Sequence, residues 1–357
     1  MTSVWYDAPS HAAGAALADG VADLDIRSTG VRVLADDLTE VSARARELGL
    51  TENPEGLQTL DVEFQAADPA AVGTFWDIAL GGLENPLRRG PAFAVRKLED
   101  HRPLRNRIHV DVVRPEDAVL RARQAIGQEP TGPYGVMLAD PEGNEVDLVP
   151  GEPLPGTTDW YAIFSAMAFY PNAPAGFVTT VAELADSAGI PLLIDVRREG
   201  VTVDSGKDRW EGGTHGADPG FVALAQQIEG VAKDLGLQAD PAPLRFVQFG
   251  IDALDVPAVR AFWVKFLGYE EDARPNVTDV YDPSWLNPVL IFQQLDEPRP
   301  QRNRIRFDLA VPEEMIEQRV GAALAVGGRV LSENPYLVAD PEGNEILLGT
   351  RRTCPST

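Results

Sequence analysis

Apolar residues recur along this 357-residue chain with two periods, and the order in which the periods alternate is itself repeated. LQTLDVEFQAAD (57–68) alternates apolar and polar positions, which predicts a half-buried strand. PAAVGTFWDIAL (69–80) changes to helical spacing and opens with Pro, whose missing N–H costs nothing in a first helical turn. FAVRKLE (93–99) reads as a strand, and RNRIHVDVV (105–113), PEDAVLRARQAI (115–126), YGVMLAD (134–140) and EVDLV (145–149) follow as strand, helix, strand and strand. The same order returns as LRFVQFGIDALD (244–255), VPAVRAFWVKFLG (256–268), PVLIFQQLD (288–296), RNRIRFDLAV (302–311), PEEMIEQRVGAALAVGG (312–328), YLVAD (336–340) and EILLG (345–349). Each series is a pair of βαβββ units.

A shorter pattern precedes each series. Pro9 to Leu17 predicts a helix, DIRSTGVRV (25–33) a strand pair turning at Thr29-Gly30, and DDLTEVSARARELGL (36–50) a capped helix with Leu38, Val41, Ala45 and Leu48 on one face. Its fuller counterpart is FVTTVAELADSAG (177–189), IPLLIDVRREGVTVDS (190–205) and DPGFVALAQQIEGVAKDLGL (218–237). LEDHRPLRNRIHVD (98–111) matches LDEPRPQRNRIRFD (295–308), and ADPEGNE closes both series at 139–145 and 339–345, so the chain is internally duplicated. The expected divisions are 1–52, 53–151, 157–240 and 241–351, with linkers in GEPLPGTTD (151–159) and QADPAP (238–243).

Composition narrows the function. A formal net charge of −24 repels phosphate backbones and anionic lipid surfaces, so neither nucleic acid nor membrane is an expected partner. No run of about 18 apolar residues exists, and the acidic, Ala-rich N-terminus does not read as a secretory signal, so the expected location is cytoplasmic. The single cysteine, Cys354, excludes an intrachain disulfide and is expected to be a bystander.

Phe262-Trp263, Leu267-Gly268, the block FQQLDEPRPQRNRIRFDL and the closing VADPEGNE resemble glyoxalase-like domains of the vicinal oxygen chelate superfamily. Phe75-Trp76, RNRIHVDV and LADPEGNEVDL give the first series the same resemblance. The segment 160–237, through WYAIFSAMAFY, GFVTTVAELAD and GTHGADPGFVALAQQIE, resembles pterin-4a-carbinolamine dehydratase, and 1–50 resembles a truncated copy. The whole is similar to actinobacterial fusions of the two. The resemblance implies an α+β protein of two glyoxalase-like modules of paired βαβββ units rolled into half-open barrels, accompanied by degenerate dehydratase-like α/β segments. The dehydratases depend on a His pair and a later Thr-His; here the pair's position reads Gly189-Ile190-Pro191 and only Thr214-His215 remains. Dehydratase activity is therefore expected to be lost, leaving structural or dimerising parts and allowing a homodimer.

Vicinal oxygen chelate enzymes carry metal ligands on inward positions of the first strand, the strand opening the second half, and the last strand. Fifteen residues before each Phe-Trp tryptophan stand Asp61 and Gln248; the opening strands offer His109 and Arg306; seven residues beyond the Asp of DPEGNE stand Asp147 and Leu347. The resemblance thus implies Asp61, His109 and Asp147 as the reactive set of the first module. Three readings of it stay open: a divalent metal site suited to iron, manganese or zinc, a metal-free Asp–His pair acting on a ligand, or a structural hydrogen bond. No other cofactor is expected. Gln248, Arg306 and Gln293 would contact ligand in the second module, where a guanidinium excludes a metal. Arg306 either meets an anionic or carbonyl ligand or is neutralised by Asp308 or Glu345. The repeated Arg-Asn-Arg triplets are expected to frame the modules, and Trp76 and Trp263 to sit in the core. Two functions are consistent with this: a lyase, isomerase or cyclase of specialised metabolism acting on a small organic molecule in a barrel cavity, or a binder that sequesters one. A scaffold with vestigial sites is the third reading.

Overall fold

A computed structural model describes residues 2–350 apart from 22, 86, 88, 101, 214 and 215. Thr214, His215 and Cys354 therefore lie outside the described residues.

The first helix of each module forms where the pattern places it, and for local reasons. In Pro69–Leu80 the Asp68 carboxylate accepts from Ala71 N at 3.1 Å, and Gly81 ends the helix at φ 74°. Val256–Leu267 repeats this with Asp255 on Ala258 N at 3.0 Å and Gly268 at φ 65°. A side-chain oxygen satisfies an otherwise orphaned N–H at one end, and a residue free of the left-handed penalty closes the other. Trp76 and Trp263 are fully buried on these helices. Each indole Nε1 donates to the Asp of the ADPEGNE turn, Trp76 to Asp140 at 2.9 Å and Trp263 to Asp340 at 3.1 Å, so the buried polar atoms are satisfied.

The two halves of each module do not pair with each other. Thr59–Ala66 of the first module runs antiparallel to Ile305–Ala310 of the second, and Phe246–Ala253 of the second runs antiparallel to Ile108–Pro115 of the first. Each barrel sheet is thus built from both modules. One contains Val289–Gln294, Phe246–Ala253, Ile108–Pro115 and Glu145–Pro153 as neighbours; the other runs Arg329–Glu333, Tyr336–Ala339, Glu345–Gly349, Ile305–Ala310, Thr59–Ala66, Phe93–Lys97. A continuous apolar core containing Phe64, Trp76, Phe249, Trp263 and Phe307 joins the two sheets and their helices.

The Arg-Asn-Arg triplets lock this exchange. Asn303 Oδ1 accepts from Arg107 N and Asn106 Oδ1 from Arg304 N, both at 2.9 Å. Arg107 and Arg304 then reach the opposite module's turn, donating through Nε to Asn344 at 2.9 Å and Asn144 at 3.0 Å. Arg105 and Arg302 fork onto Glu145 and Glu345.

The two smaller units pair edge to edge through Leu24–Arg27 and Leu193–Arg197. Reciprocal buried ion pairs, Arg27 with Asp195 at 2.7 Å and Arg197 with Asp25 at 2.5 Å, span that seam. On the helical side, His11 bridges Asp186 at 2.7 Å and the Leu192 carbonyl at 3.0 Å. Tyr161–Ile163 joins this sheet to Glu145–Pro153, so the first barrel and the paired units share one 15-stranded sheet. The expected linker at 151–159 thus begins as strand. Ser165–Pro171, which carried no alternation, is a strand because Ser165 to Tyr170 are buried on both faces. Among the described residues no helix is long and apolar enough to cross a membrane.

Candidate metal and acid–base centre

Strand alternation sends Ile108, Val110 and Val112 into the core and turns His109 and Asp111 to the opposite face. Asp147 lies beside Asp111 in the parallel pairing with Glu145–Pro153, and Gln248 lies opposite Asp111 on the antiparallel neighbour. His109, Asp111 and Asp147 each bring one ligand-type atom within 4.8 Å of the others. Gln248 Nε2 donates to Asp111 Oδ2 at 2.7 Å, and His109 Nε2 stands 3.5 Å from Asp111 Oδ1. His109 is 8 % exposed, Asp111 6 % and Gln248 3 %.

Space for the imidazole comes from the opposite strand. Gly250 pairs with His109, and a Cβ on Gly250 would lie 2.0 Å from the ring's Cε1. The ring therefore occupies the place of a side chain that Gly250 lacks. Burial, reinforced by Asp111, raises the Asp147 carboxyl above its ordinary range, while His109 pulls the other way.

Two buried acceptors here, Asp111 Oδ1 and Gln248 Oε1, make no hydrogen bond. Buried oxygens left unpaired are costly, and a cation among them would satisfy both at once. The donor set fits that role: one imidazole, two carboxylates and an amide oxygen suit a divalent ion of borderline or hard character.

The equivalent position in the other barrel is differently filled. Asp61 pairs across the strands with Asp308, and Arg306 with Glu63, where the first barrel has Gln248 with Asp111 and Gly250 with His109. Arg306 bridges Glu63 at 3.0 Å and Asp308 at 3.0 Å, and Arg96 closes on the other Glu63 oxygen at 2.5 Å. Asp61 Oδ1 accepts from Ala92 N at 3.0 Å. Leu347 stands beside Asp308, where the first barrel has Asp147. Burial raises the Asp308 carboxyl, with Arg306 partly opposing.

The residues expected from the sequence are therefore regrouped. His109 and Asp147 come together with Gln248, while Asp61 and Arg306 stand on the second sheet, because each module's first strand crosses to its partner's second half. Of the two carboxylates expected to neutralise Arg306, Asp308 does so; Glu63 is the other partner, and Glu345 is taken by Arg302. Gln293 is exposed beside Asp252, and Gln294 is spent on the carbonyls of Leu254 and Leu295. Asp111 was missed, although its spacing of two from His109 puts it on the same strand face.

A sequence profile described as "Glyoxalase-like domain" matches residues 61–149 and 248–348, more than half of the chain. None of the curated proteins matches. Among solved structures, glyoxalase I from Zea mays is similar over 83 % of this chain and 94 % of its own, at 10 % identity and a TM-score of 0.36. Two single-substitution variants of the maize enzyme align at 9 and 10 % identity, each with a TM-score of 0.37, covering 82 and 83 % of this chain and 94 % of theirs. On the two matched segments, which contain every residue of the centre just described, the chain belongs to the glyoxalase-like domain family.

Proposed function

We propose that the protein binds a small organic molecule on the sheet face carrying His109, Asp111, Asp147 and Gln248, and acts on it as a lyase or isomerase. The observation that carries this reading is the pair of buried acceptors that make no hydrogen bond, beside an imidazole and a carboxyl of raised pKa. Such a set is suited to hold a divalent ion or to move a proton. In the metal-bearing form His109, Asp111, Asp147 and the Gln248 carbonyl would hold the ion, which would polarise a ligand carbonyl or hydroxyl. His109 and Asp147 are the groups able to take and return a proton at a bound ligand, Asp111 being occupied by Gln248 through Oδ2. The second barrel, with Arg306 neutralised by Glu63 and Asp308, we assign a structural role. The smaller units, which resemble a carbinolamine dehydratase, we read as framework that has lost that activity.

The test is titration of chelator-stripped protein with Mn²⁺, Fe²⁺ and Zn²⁺ by calorimetry, with elemental analysis of protein purified without chelator. One equivalent is expected for the native chain. His109→Ala should lose at least about tenfold in affinity, and Gly250→Ala, which keeps every ligand but displaces the ring, should weaken it too. The enzyme reading fails if no stoichiometric ion is found and His109→Ala leaves any detected turnover intact.

A further inference from the structure

Of five non-glycine residues with left-handed backbone among the described residues, three meet at one place: Phe164 (φ 65°), Asp208 (φ 59°) and Trp285 (φ 51°). Asp208 N and Trp210 Nε1 both donate to the Phe164 carbonyl, at 2.9 and 3.2 Å, and Arg209 lies 4.1 Å over the Trp285 ring. Bulky residues adopt this backbone only where the surroundings impose it, and such positions gather at ligand sites. The place is a crevice between segment 206–213, the seam of the smaller units and the loop preceding Val289–Gln294. It holds adjoining cavities of about 90 and 220 Å³ that share Lys207, Trp285 and Val289 as walls.

The wall is cationic in a strongly anionic protein. Six Arg or Lys residues line the smaller cavity against three Asp. Arg27 pairs with Asp195, Arg32 and Arg197 with Asp25, Arg89 with Asp195 and Asp204, and Lys207 with Asp279. Of these six, Arg245 alone has no carboxylate partner among the described residues. It is 7 % exposed, lies 5.8 Å over the Phe93 ring, spends Nη1 on the carbonyls of Leu80 and Gly82 at 3.1 and 2.6 Å, and leaves Nη2 buried with no hydrogen-bond partner among the described residues. A buried guanidinium without a counter-charge is costly, and its planar fork matches an oxyanion. Arg209, held over Trp285 in the adjoining cavity, is likewise without an ion pair among the described residues.

We propose that this crevice binds a small oxyanion, a carboxylate or phosphate group, with Arg245 as the cation awaiting its counter-charge and Arg209 drawing the anion in. A cavity of about 90 Å³, with one of about 220 Å³ adjoining, has room for such a group. The site is distinct from the His109 centre and does not depend on it.

The experiment is calorimetry on the full chain in a buffer free of phosphate and carboxylates, with inorganic phosphate and acetate titrated separately at fixed ionic strength. One-to-one binding of one or both is expected, and the tighter of the two identifies the class. Arg245→Met should weaken it about tenfold or more, with Arg245→Lys between the two. Arg209→Gln, on an exposed side chain, should weaken it at least about threefold and decides the matter if Arg245→Met does not fold. The inference is overturned if neither anion binds, or if the folded arginine variants keep the native affinity. It is equally overturned if His109→Ala, rather than the arginine variants, abolishes binding.

Discussion

At the scale of single residues, Gly250 decides what the first barrel can do. Its missing side chain admits the His109 imidazole, whereas the second barrel has Glu63 at the corresponding position and an ion pair to Arg306 instead. Asp147 gives this a measurable side. A carboxyl whose folded pKa is raised costs stability once pH exceeds its unfolded value of about 3.9, and the cost is complete above the folded value. Asp147→Asn removes it, so with chelator present the variant should be the more stable protein at pH 7. The difference should shrink towards zero near pH 4 in paired urea titrations. A variant less stable than the native chain at pH 7 would show that the carboxylate is held by favourable contacts after all. The candidate residues came from the resemblance, which implies ligands on inward strand positions. Their grouping was not legible, since parity assigns a face and says nothing about which strand lies alongside.

At the scale of elements, the sequence rhythm located the helices well because their caps are local: Asp68 and Asp255 before, Gly81 and Gly268 after. The strand Ser165–Pro171 escaped, buried on both sides and so without a period to read. The Arg-Asn-Arg triplets were expected to frame the modules, and they do so across them. Asn303 is the clearest case: it accepts from Arg107 N and donates to Asn344 at 2.7 Å. Asn303→Ala leaves a buried backbone N–H without a partner, and should cost about 2–4 kcal/mol in chemical denaturation. A loss below about 0.5 kcal/mol would mean that the exchange of strands is held by the apolar core alone.

At the scale of the molecule, the duplication is a structural requirement. Residues 157–350 alone would present Phe246–Ala253 and Ile305–Ala310 without their partners from the first half. Because the halves are repeats, two such fragments offer each other equivalent strands. Sedimentation of the isolated fragment should show a dimer or insoluble material. A folded, cooperatively melting monomer would contradict the composite barrels. The same logic explains why the chain's divisions are visible in sequence as a linear series, while neither barrel can be assigned to a single stretch of it.

The exchanged strands also set a timetable for synthesis. Thr59–Ala66 leaves the ribosome about 240 residues before Ile305–Ala310, its antiparallel neighbour, which at 5–20 residues per second is a wait of roughly ten to fifty seconds. Throughout that interval its Ile305–Ala310-facing edge has no native partner, and such unpaired edges invite association between nascent chains. The carboxylates on the polar face of that strand, Asp61 and Glu63, oppose this by mutual repulsion between copies before Arg96 and then Arg306 arrive to pair with Glu63. Carboxylates that join the polar network of the second barrel in the finished protein would thus protect the unfinished one.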